Sequence, residues 1–525
     1  MPDRMPGWLN EAIFYQIYPQ SYYDASGDGI GDIPGIIEKL DYIEALGVNA
    51  LWLNPCFVSP FQDAGYDVAD YYQVAPRYGT NGNLKRLFKE AHRRGIRVCL
   101  DLVPGHTSIE HPWFKASCRH RRNQYSDRYV WSDSVWEDDE SDIRFISGYA
   151  ERNGSYATNF FYCQPALNYG FAQPDPNKPW QQPVDGPGPK ATRRELKRIM
   201  DFWLGQGADG FRVDMAASLV KKDPDHQATS ALWREVRAWI QRRHPDAVLI
   251  SEWGNPREAI AAGFHVDFML HFGAPGYDHL LLQDDCFFRR RDGQGIRPFL
   301  DAYLAQVSGT EERGYVAIPS ANHDFKRPRS DGRTMAELEV IFTFLLTWPG
   351  IPFIYYGDEI GMRYIKHLPS KEGGYERTGT RTPMQWDDGR NAGFSSAQAD
   401  QLYLPVDPGK GRPTVQGQDA DPRSLLNLVR RLTALRRDSS ALQAGGTMTP
   451  LHARAERSAF VYLREQEGER FLVALNPAAR AAEVEIDGVT VGAQKPEIGH
   501  GVEVRGKRQR AVLKMDGVSY GVFRL

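Results

Sequence analysis

The sequence predicts an α/β chain built on a closed parallel (β/α)8 barrel, the TIM barrel, with a small subdomain inserted after the third strand and an antiparallel β domain at the C-terminal end. Three observations predict it. Over about the first 400 residues, eight short β-rich apolar runs alternate with segments of helical periodicity, the rhythm of a parallel sheet closed by crossover helices. Residues 106–190 break that rhythm with a stretch rich in Trp, Tyr, Asp, Pro and Gly, far too long for a simple connection. Beyond about residue 446 the helical segments stop and short alternating runs follow one another directly.

In chain order, the expected barrel strands are residues 13–18, 50–54, 98–103, 210–213, 248–251, 268–272, 315–319 and 353–356, each a short run of β-branched, aromatic or aliphatic residues. Helical periodicity falls between most of them, at 34–46, 84–94, 191–204, 230–244 and 335–347. The runs at 459–463, 471–475 and 482–486 have no helix between them and read as antiparallel strands. The chain therefore divides into a first barrel part (1–105), an insertion (106–189), a second barrel part (190–445) and a C-terminal β domain (446–525).

Composition narrows the function. With 64 Lys and Arg against 67 Asp and Glu, the 525 residues carry a formal net charge of −3, so there is no electrostatic footprint for nucleic acid. Basic clusters at 119–122 and 289–291 read as solvated surface. No run approaches the length of a membrane span, and the first residues lack the order of a signal peptide. Five cysteines, Cys56, Cys99, Cys118, Cys163 and Cys286, are odd in number and form no CxxC pair. They read as reduced structural thiols, which places the protein in the cytoplasm. Aromatic residues make up 12% of the chain; most belong to the core, although flat apolar faces also stack on sugar rings.

Catalytic groups of such a barrel project from the C-terminal ends of its strands. The third strand ends in Asp101-Leu-Val-Pro-Gly-His106 and the fourth in Gly210-Phe-Arg212-Val-Asp214. The fifth gives Ile250-Ser-Glu252 and the seventh Ser320-Ala-Asn322-His323-Asp324. Asp214, Glu252 and Asp324 thus come from three strands and are expected at one mouth. That is what glycosidic cleavage requires: one ionised carboxylate at the anomeric carbon and a second, protonated one at the leaving oxygen. Arg212, two residues before Asp214, faces the same side and can hold that carboxylate ionised. His106 and His323 are placed to hydrogen-bond sugar hydroxyls.

Through these segments the chain resembles the α-amylase family, glycoside hydrolase family 13, from about residue 8 to its C-terminal end. The resemblance implies an inserted B domain, a C-terminal β-sandwich and a retaining double displacement. In it Asp214 is the nucleophile, Glu252 the general acid/base, and Asp324 the residue that grips and distorts the sugar. Arg381-Thr-Pro-Met-Gln-Trp386, Gln164-Pro-Ala-Leu-Asn168 and Asp63-Ala-Gly-Tyr66 resemble segments of the oligo-1,6-glucosidase, α-glucosidase and trehalose synthase group. There the counterparts of Asp63 and Arg381 pair to close the pocket behind a terminal glucose, and that of Tyr66 stacks on its ring; a plain surface ion pair is the alternative for Asp63 and Arg381. Ala217 and Ser218 stand where endo-amylases carry Lys-His. Three positions depart from the family pattern. Gly105 replaces an Asn that helps hold the amylase calcium, Met215 follows the nucleophile, and Ala166 replaces an Asp.

A separate metal signal is Asp24-Ala-Ser26-Gly-Asp28-Gly-Ile30-Gly-Asp32. It offers side-chain oxygens at positions 1, 3, 5 and 9 and the Ile30 carbonyl at 7, as in the first part of an EF-hand loop. The resemblance implies a structural Ca²⁺ there; a metal-free Asx-rich turn is the alternative. Together these readings predict an exo-acting α-glucosidase that takes short, small-molecule α-glucosides. One rival is a transglucosidase or trehalose synthase-like isomerase with the same first step, with residues 365–382 as its lid or merely a loop. The other is a non-catalytic sugar- or protein-binding relative.

Overall fold

A computed structural model describes residues 5–137, 143–291, 293–310, 313–455, 459–492, 494–507 and 509–525. Eight parallel strands close into a barrel in the order β1-β8-β7-β6-β5-β4-β3-β2. They are β1 (Phe14–Ile17), β2 (Ala50–Leu53), β3 (Arg97–Leu102), β4 (Gly210–Val213), β5 (Val248–Ser251), β6 (Val266–Phe268), β7 (Tyr315–Pro319) and β8 (Ile351–Tyr355). Most are buried along their whole length, as strands enclosed by side chains within and helices without must be. Closure is made by β1 pairing with β8, Phe14 opposite Phe353, and their rings stack with centroids 4.4 Å apart.

Two expected elements differ in detail. The strand expected at 268–272 lies at Val266–Phe268, because β5 and β7 pair with that segment alone; the chain leaves the sheet after Phe268 and carries His271 and Phe272 to the barrel mouth. The helix expected at 34–46 is interrupted at Lys39 (φ −98°, ψ 7°), giving Ile33–Glu38 and Leu40–Ala45. Other helices match their sequence signals closely. Asn81–Arg93 and Met335–Thr347 each begin in a capping box, Thr80 with Asn83 and Thr334 with Glu337.

Two excursions surround the mouth. After β2 a short hairpin, Phe57–Val58 with Asp70–Val74, holds Asp63 and Tyr66 in its loop. After β3 the inserted segment folds around its own small core of Val130, Ala157, Ala166 and Phe171, with a short hairpin pairing Phe145–Ile146 and Tyr156–Ala157. The barrel resumes with the helix Pro187–Gln206.

At the other end, six antiparallel strands, β9 (Thr447–Ala453), β10 (Phe460–Gln466), β11 (Glu469–Asn476), β12 (Ala482–Asp487), β13 (Ile498–Lys507) and β14 (Arg510–Arg524), form one sheet. The long β14 pairs with β11 through residues 519–524 and with β12 through 510–515, so it runs through both halves of the sheet. Val461, Leu472 and Phe523 from one half meet Val484, Ile486 and Val504 from the other in a common core.

Candidate active site

The C-terminal strand ends deliver the three expected acids to one cavity of about 580 Å³, lined by Asp214, Glu252, Asp324, Asp63, Tyr66, His106 and His323 among others. At its base Arg212, 1% exposed, serves three carboxylates. Its Nη1 donates to Asp214 Oδ1 (2.9 Å) and Asp101 Oδ1 (3.0 Å), and its Nη2 pairs with Glu252 Oε1. Two carboxyls gripping one guanidinium stand close together. Burial raises Asp214 well above the usual carboxylate range, the facing Glu252 adds to this, and Arg212 opposes it. Burial also raises Asp101 to about 6, against Arg212 and Trp52. Burial thus opposes ionisation of Asp214 and Asp101 while the guanidinium they share favours it.

Met215, directly after Asp214, has φ +42° and ψ +45°, a left-handed conformation costing on the order of 1–3 kcal/mol for a non-glycine residue. The turn aims its N–H at Glu252 Oε2, 3.2 Å away. Ser218 donates to the Met215 carbonyl at 2.9 Å, which braces the turn.

The wall opposite is a hydrogen-bond relay. Gln16 Nε2 donates to Asn54 Oδ1 (2.8 Å) and lies 3.1 Å from His323 Nδ1. That nitrogen is therefore the acceptor, and the His323 proton is on Nε2. Nε2 faces the Tyr66 hydroxyl at 2.7 Å and Asp324 Oδ2 at 3.2 Å. The Tyr66 hydroxyl in turn donates to Asp101 Oδ2 at 3.0 Å, and its ring stacks on His323. Burial holds His323 well below the usual histidine range and His106 at about 3, so both are neutral imidazoles at neutral pH.

Asp63 and Arg381 do not pair. Arg381 Nη2 goes to Asp324 Oδ1 (3.1 Å) and its Nε to the His323 carbonyl (2.8 Å). Asp63 instead pairs with Arg377, whose Nη2 lies 3.2 Å from Asp63 Oδ1 and whose Nη1 lies 3.0 Å from Asp324 Oδ1. The reason is reach: the Tyr375–Thr380 turn places Arg377 over the cavity, whereas Arg381 lies one turn deeper, against Tyr18 and His323. Gln164 Nε2 completes the clamp on Asp63 Oδ2 at 2.8 Å. Burial opposes ionisation of Asp324, yet His323, Arg377 and Arg381 hold it below the usual carboxylate range.

Sequence reasoning missed Arg377, Asp101 and the aromatic mouth of Phe160, Phe161, Trp253, Phe272 and Tyr375. Asp101 carried a signal, as the first residue of the third-strand segment ending in His106. The other residues lie in irregular loops. Gly105 also acquires a reason: a Cβ there would meet Asn159 Nδ2 at 2.5 Å. That Asn159 faces His106 Nδ1 at 3.3 Å and accepts from Lys221 Nζ at 3.1 Å, so a lysine ammonium ties barrel to insertion here. Ala166 is buried in the core of the insertion.

In the loop after β1, Asp24 Oδ1 accepts from Gly27 N (2.7 Å) and Oδ2 from Gly29 N (2.7 Å) and Ser395 Oγ (2.6 Å). Asp32 accepts from Ser26 N and Gly35 N, and Asp28 from Ile30 N. No cluster of three or more His, Cys, Asp or Glu in metal-binding array occurs among the described residues.

A barrel presenting paired, buried carboxyls and a grip of Arg and His at its C-terminal mouth is the frame of a glycosidase. Residues 16–445 match the alpha-amylase catalytic domain, and the chain belongs to the α-amylase family of glycosidases. It is 34% identical over 496 aligned positions to the trehalose synthase/amylase TreS of Mycobacterium tuberculosis, covering 84% of this chain and 77% of that one. It is 33% identical over 515 positions to the oligo-1,6-glucosidase of Parageobacillus thermoglucosidasius, covering 83% and 85%. Among solved structures, isomaltulose synthase from Erwinia rhapontici NX5 in complex with sucrose superposes with a TM-score of 0.81 at 25% identity, covering 99% of both chains. A trehalulose synthase soaked with trehalulose does so with the same score at 26% identity, covering 99% of this chain and 100% of that one.

Proposed function

We propose that the protein is a retaining, exo-acting α-glucosidase that removes glucose from the non-reducing end of short α-glucosides. The observation that carries this reading is the Asp63–Arg377–Asp324 bridge, which closes one side of the cavity beside the Asp214–Glu252 pair. A blind pocket accepts a chain end and not the middle of a polymer. In the first step Asp214 attacks the anomeric carbon as the glycosidic C–O bond breaks, and Glu252 gives its proton to the departing oxygen. In the second, Glu252 takes a proton from water, whose oxygen displaces Asp214 from the β-glucosyl enzyme. Arg212 holds both acids, Asp214 through Nη1 and Glu252 through Nη2, which supports a retaining mechanism, in which the two carboxyls stand closer than in an inverting enzyme. Neutral His106 and His323, with Tyr66, Asp63, Arg377 and Asp324, line the cavity that would grip the glucosyl unit, and Arg212 and Arg381 act through Asp214 and Asp324, which they hold.

The test is a product screen over maltose, isomaltose, nigerose, kojibiose, trehalose and sucrose, with anomers followed by NMR. Release of α-glucose supports the proposal; cleavage confined to the interior of long glucans, or release of the β-anomer, overturns it. Asp214→Asn should fold normally and lose at least about 10³-fold in turnover, and near-normal turnover would sink the assignment.

A second reading keeps the first step and changes the acceptor. Phe160, Phe272 and Tyr375 stand 43%, 42% and 62% exposed around the mouth, a surface able to retain the released sugar, and similar proteins include a trehalose synthase and sucrose-converting synthases. Trehalose from maltose, or an isomer of sucrose without free glucose, favours this reading.

For the loop after β1, Asp24, Ser26, Asp28, the Ile30 carbonyl and Asp32 would hold a structural Ca²⁺. The oxygens of Asp28 and Asp32 accept at most one N–H each and keep a lone pair for a hard cation, whereas both Asp24 oxygens already accept two hydrogen bonds and would have to give one up to the ion. The cation would brace the loop and take no part in the chemistry. Calcium should raise the melting temperature and chelator lower it; indifference to both supports the metal-free turn. All five cysteines are unpaired, which supports the cytoplasm as the site of action. Among the described residues no helix is long and apolar enough to cross a membrane.

A further inference from the structure

Asp267 sits on β6, wholly buried and outside the set of residues that line the cavity. Its Oδ1 accepts from Ser251 Oγ at 2.6 Å and from the Trp253 backbone N–H at 3.0 Å. Ser251 and Trp253 are the residues immediately before and after Glu252. One carboxylate oxygen therefore holds the chain on both sides of the acid/base, where β5 ends and the backbone turns into the mouth. Its other oxygen, Oδ2, is buried and makes no hydrogen bond of normal geometry. An acid in the barrel interior is costly, and an apolar side chain would fill the space without that cost. Burial raises it to about 7, against the hydrogen bonds from Ser251 and the neighbouring backbone.

The other anchors of Glu252 all lie on the β4 side: Arg212 and the Met215 N–H hold its carboxyl, its own N–H donates to the Val213 carbonyl at 2.9 Å and its carbonyl accepts from the Ala216 N–H at 3.2 Å. Asp267 supplies the anchor from the β6 side, on the residues before and after it. We infer that Asp267 is a positioning residue for acid/base catalysis: by clamping Ser251 and Trp253 it sets the direction from which Glu252 delivers its proton to the leaving oxygen. The inference rests on the glycosidase reading above and on Glu252 as the acid/base.

The test is leaving-group dependence, which a purely structural role would not produce. An α-glucoside with an alcohol leaving group needs a proton from Glu252, whereas α-glucosyl fluoride departs with little acid assistance. In the full-length protein, Asp267→Ala should lower kcat/KM at least about 30-fold on maltose and less than about 5-fold on the fluoride. Asp267→Asn, which keeps the acceptor oxygen, should restore most of the maltose activity. Ser251→Ala, which removes one of the two bonds and little volume, should show a smaller loss of the same kind and keeps the question open to measurement if Asp267→Ala does not fold. Equal losses on both substrates, or none on either, overturn the inference. Glu252→Gln is the reference. If it shows no leaving-group dependence, the assignment of Glu252 falls; if it does while the Asp267 and Ser251 variants do not, only the clamp falls.

Discussion

Arg377 shows how much a single side chain decides. It joins Asp63, from the loop after β2, to Asp324, from the loop after β7, and its Nη2 also donates to the Gly373 carbonyl at 2.6 Å. Removing it leaves two carboxylates facing each other across the subsite with one fewer cation between them. Arg377→Ala is expected to lower kcat/KM on short glucosides by about 10²-fold, through KM as much as kcat. Steady-state kinetics check this, and an unchanged KM would place the sugar elsewhere. The sequence offered two arginines four residues apart, and both face Asp324. Which of them reaches Asp63 depends on the path of an irregular loop, which no periodicity reports. Asp214 and Glu252 were legible because each directly follows a strand end, which fixes where it points; Asp324, in the loop after β7, was legible only through the Ser320-Ala-Asn322-His323-Asp324 segment.

At the scale of elements, the turn Asp358–Ile360 after β8 carries a buried acid with no cation against it. Glu359 Oε1 accepts from Tyr15 and Tyr42, both at 2.7 Å, and Oε2 has no partner. Burial raises its carboxyl from 4.5 to about 7, against those two bonds. The folded chain thus keeps this proton to a higher pH than the unfolded chain does. Its contribution is complete below pH 4.5 and is lost as pH rises through 7, on the order of 3 kcal/mol in all. Glu359→Gln removes that slope, so the variant should gain on the parent in melting temperature between pH 5 and pH 8. A constant difference across that range would refute the ionisation argument. Elements with regular periodicity, such as Met335–Thr347, could be read closely from sequence. The extent of β6 could not, since it is set by pairing with β5 and β7, and no helix-breaking residue marks the interruption at Lys39.

Across the whole molecule, two buried arginines with no carboxylate partner among the described residues brace the junction of barrel and C-terminal sheet, Arg436 from within the barrel part and Arg464, on β10, across it. Arg436 donates to the carbonyls of Leu346, Trp348 and Gly350, and Arg464 to those of Thr347, Thr447, Gln443 and Gly446. Burial lowers them to about 9 and about 10. Trp348 packs against Phe460 and Tyr462 across the same junction. Arg464→Met should destabilise by about 3 kcal/mol or more, because it orphans buried carbonyls, and barrel and sheet should still unfold in one transition. Two separate transitions in denaturant would show that the domains stand alone.

Barrel closure has a consequence for the order in which the protein becomes competent. Asp214 and Glu252 leave the ribosome long before β8 pairs with β1 and before Arg377 exists to meet Asp63. A growing chain therefore carries the proposed nucleophile and acid early, on an open sheet without the cavity that encloses them in the finished barrel. The reactive pair becomes useful only when the last strand seals the ring, so synthesis itself keeps a half-made chain from acting.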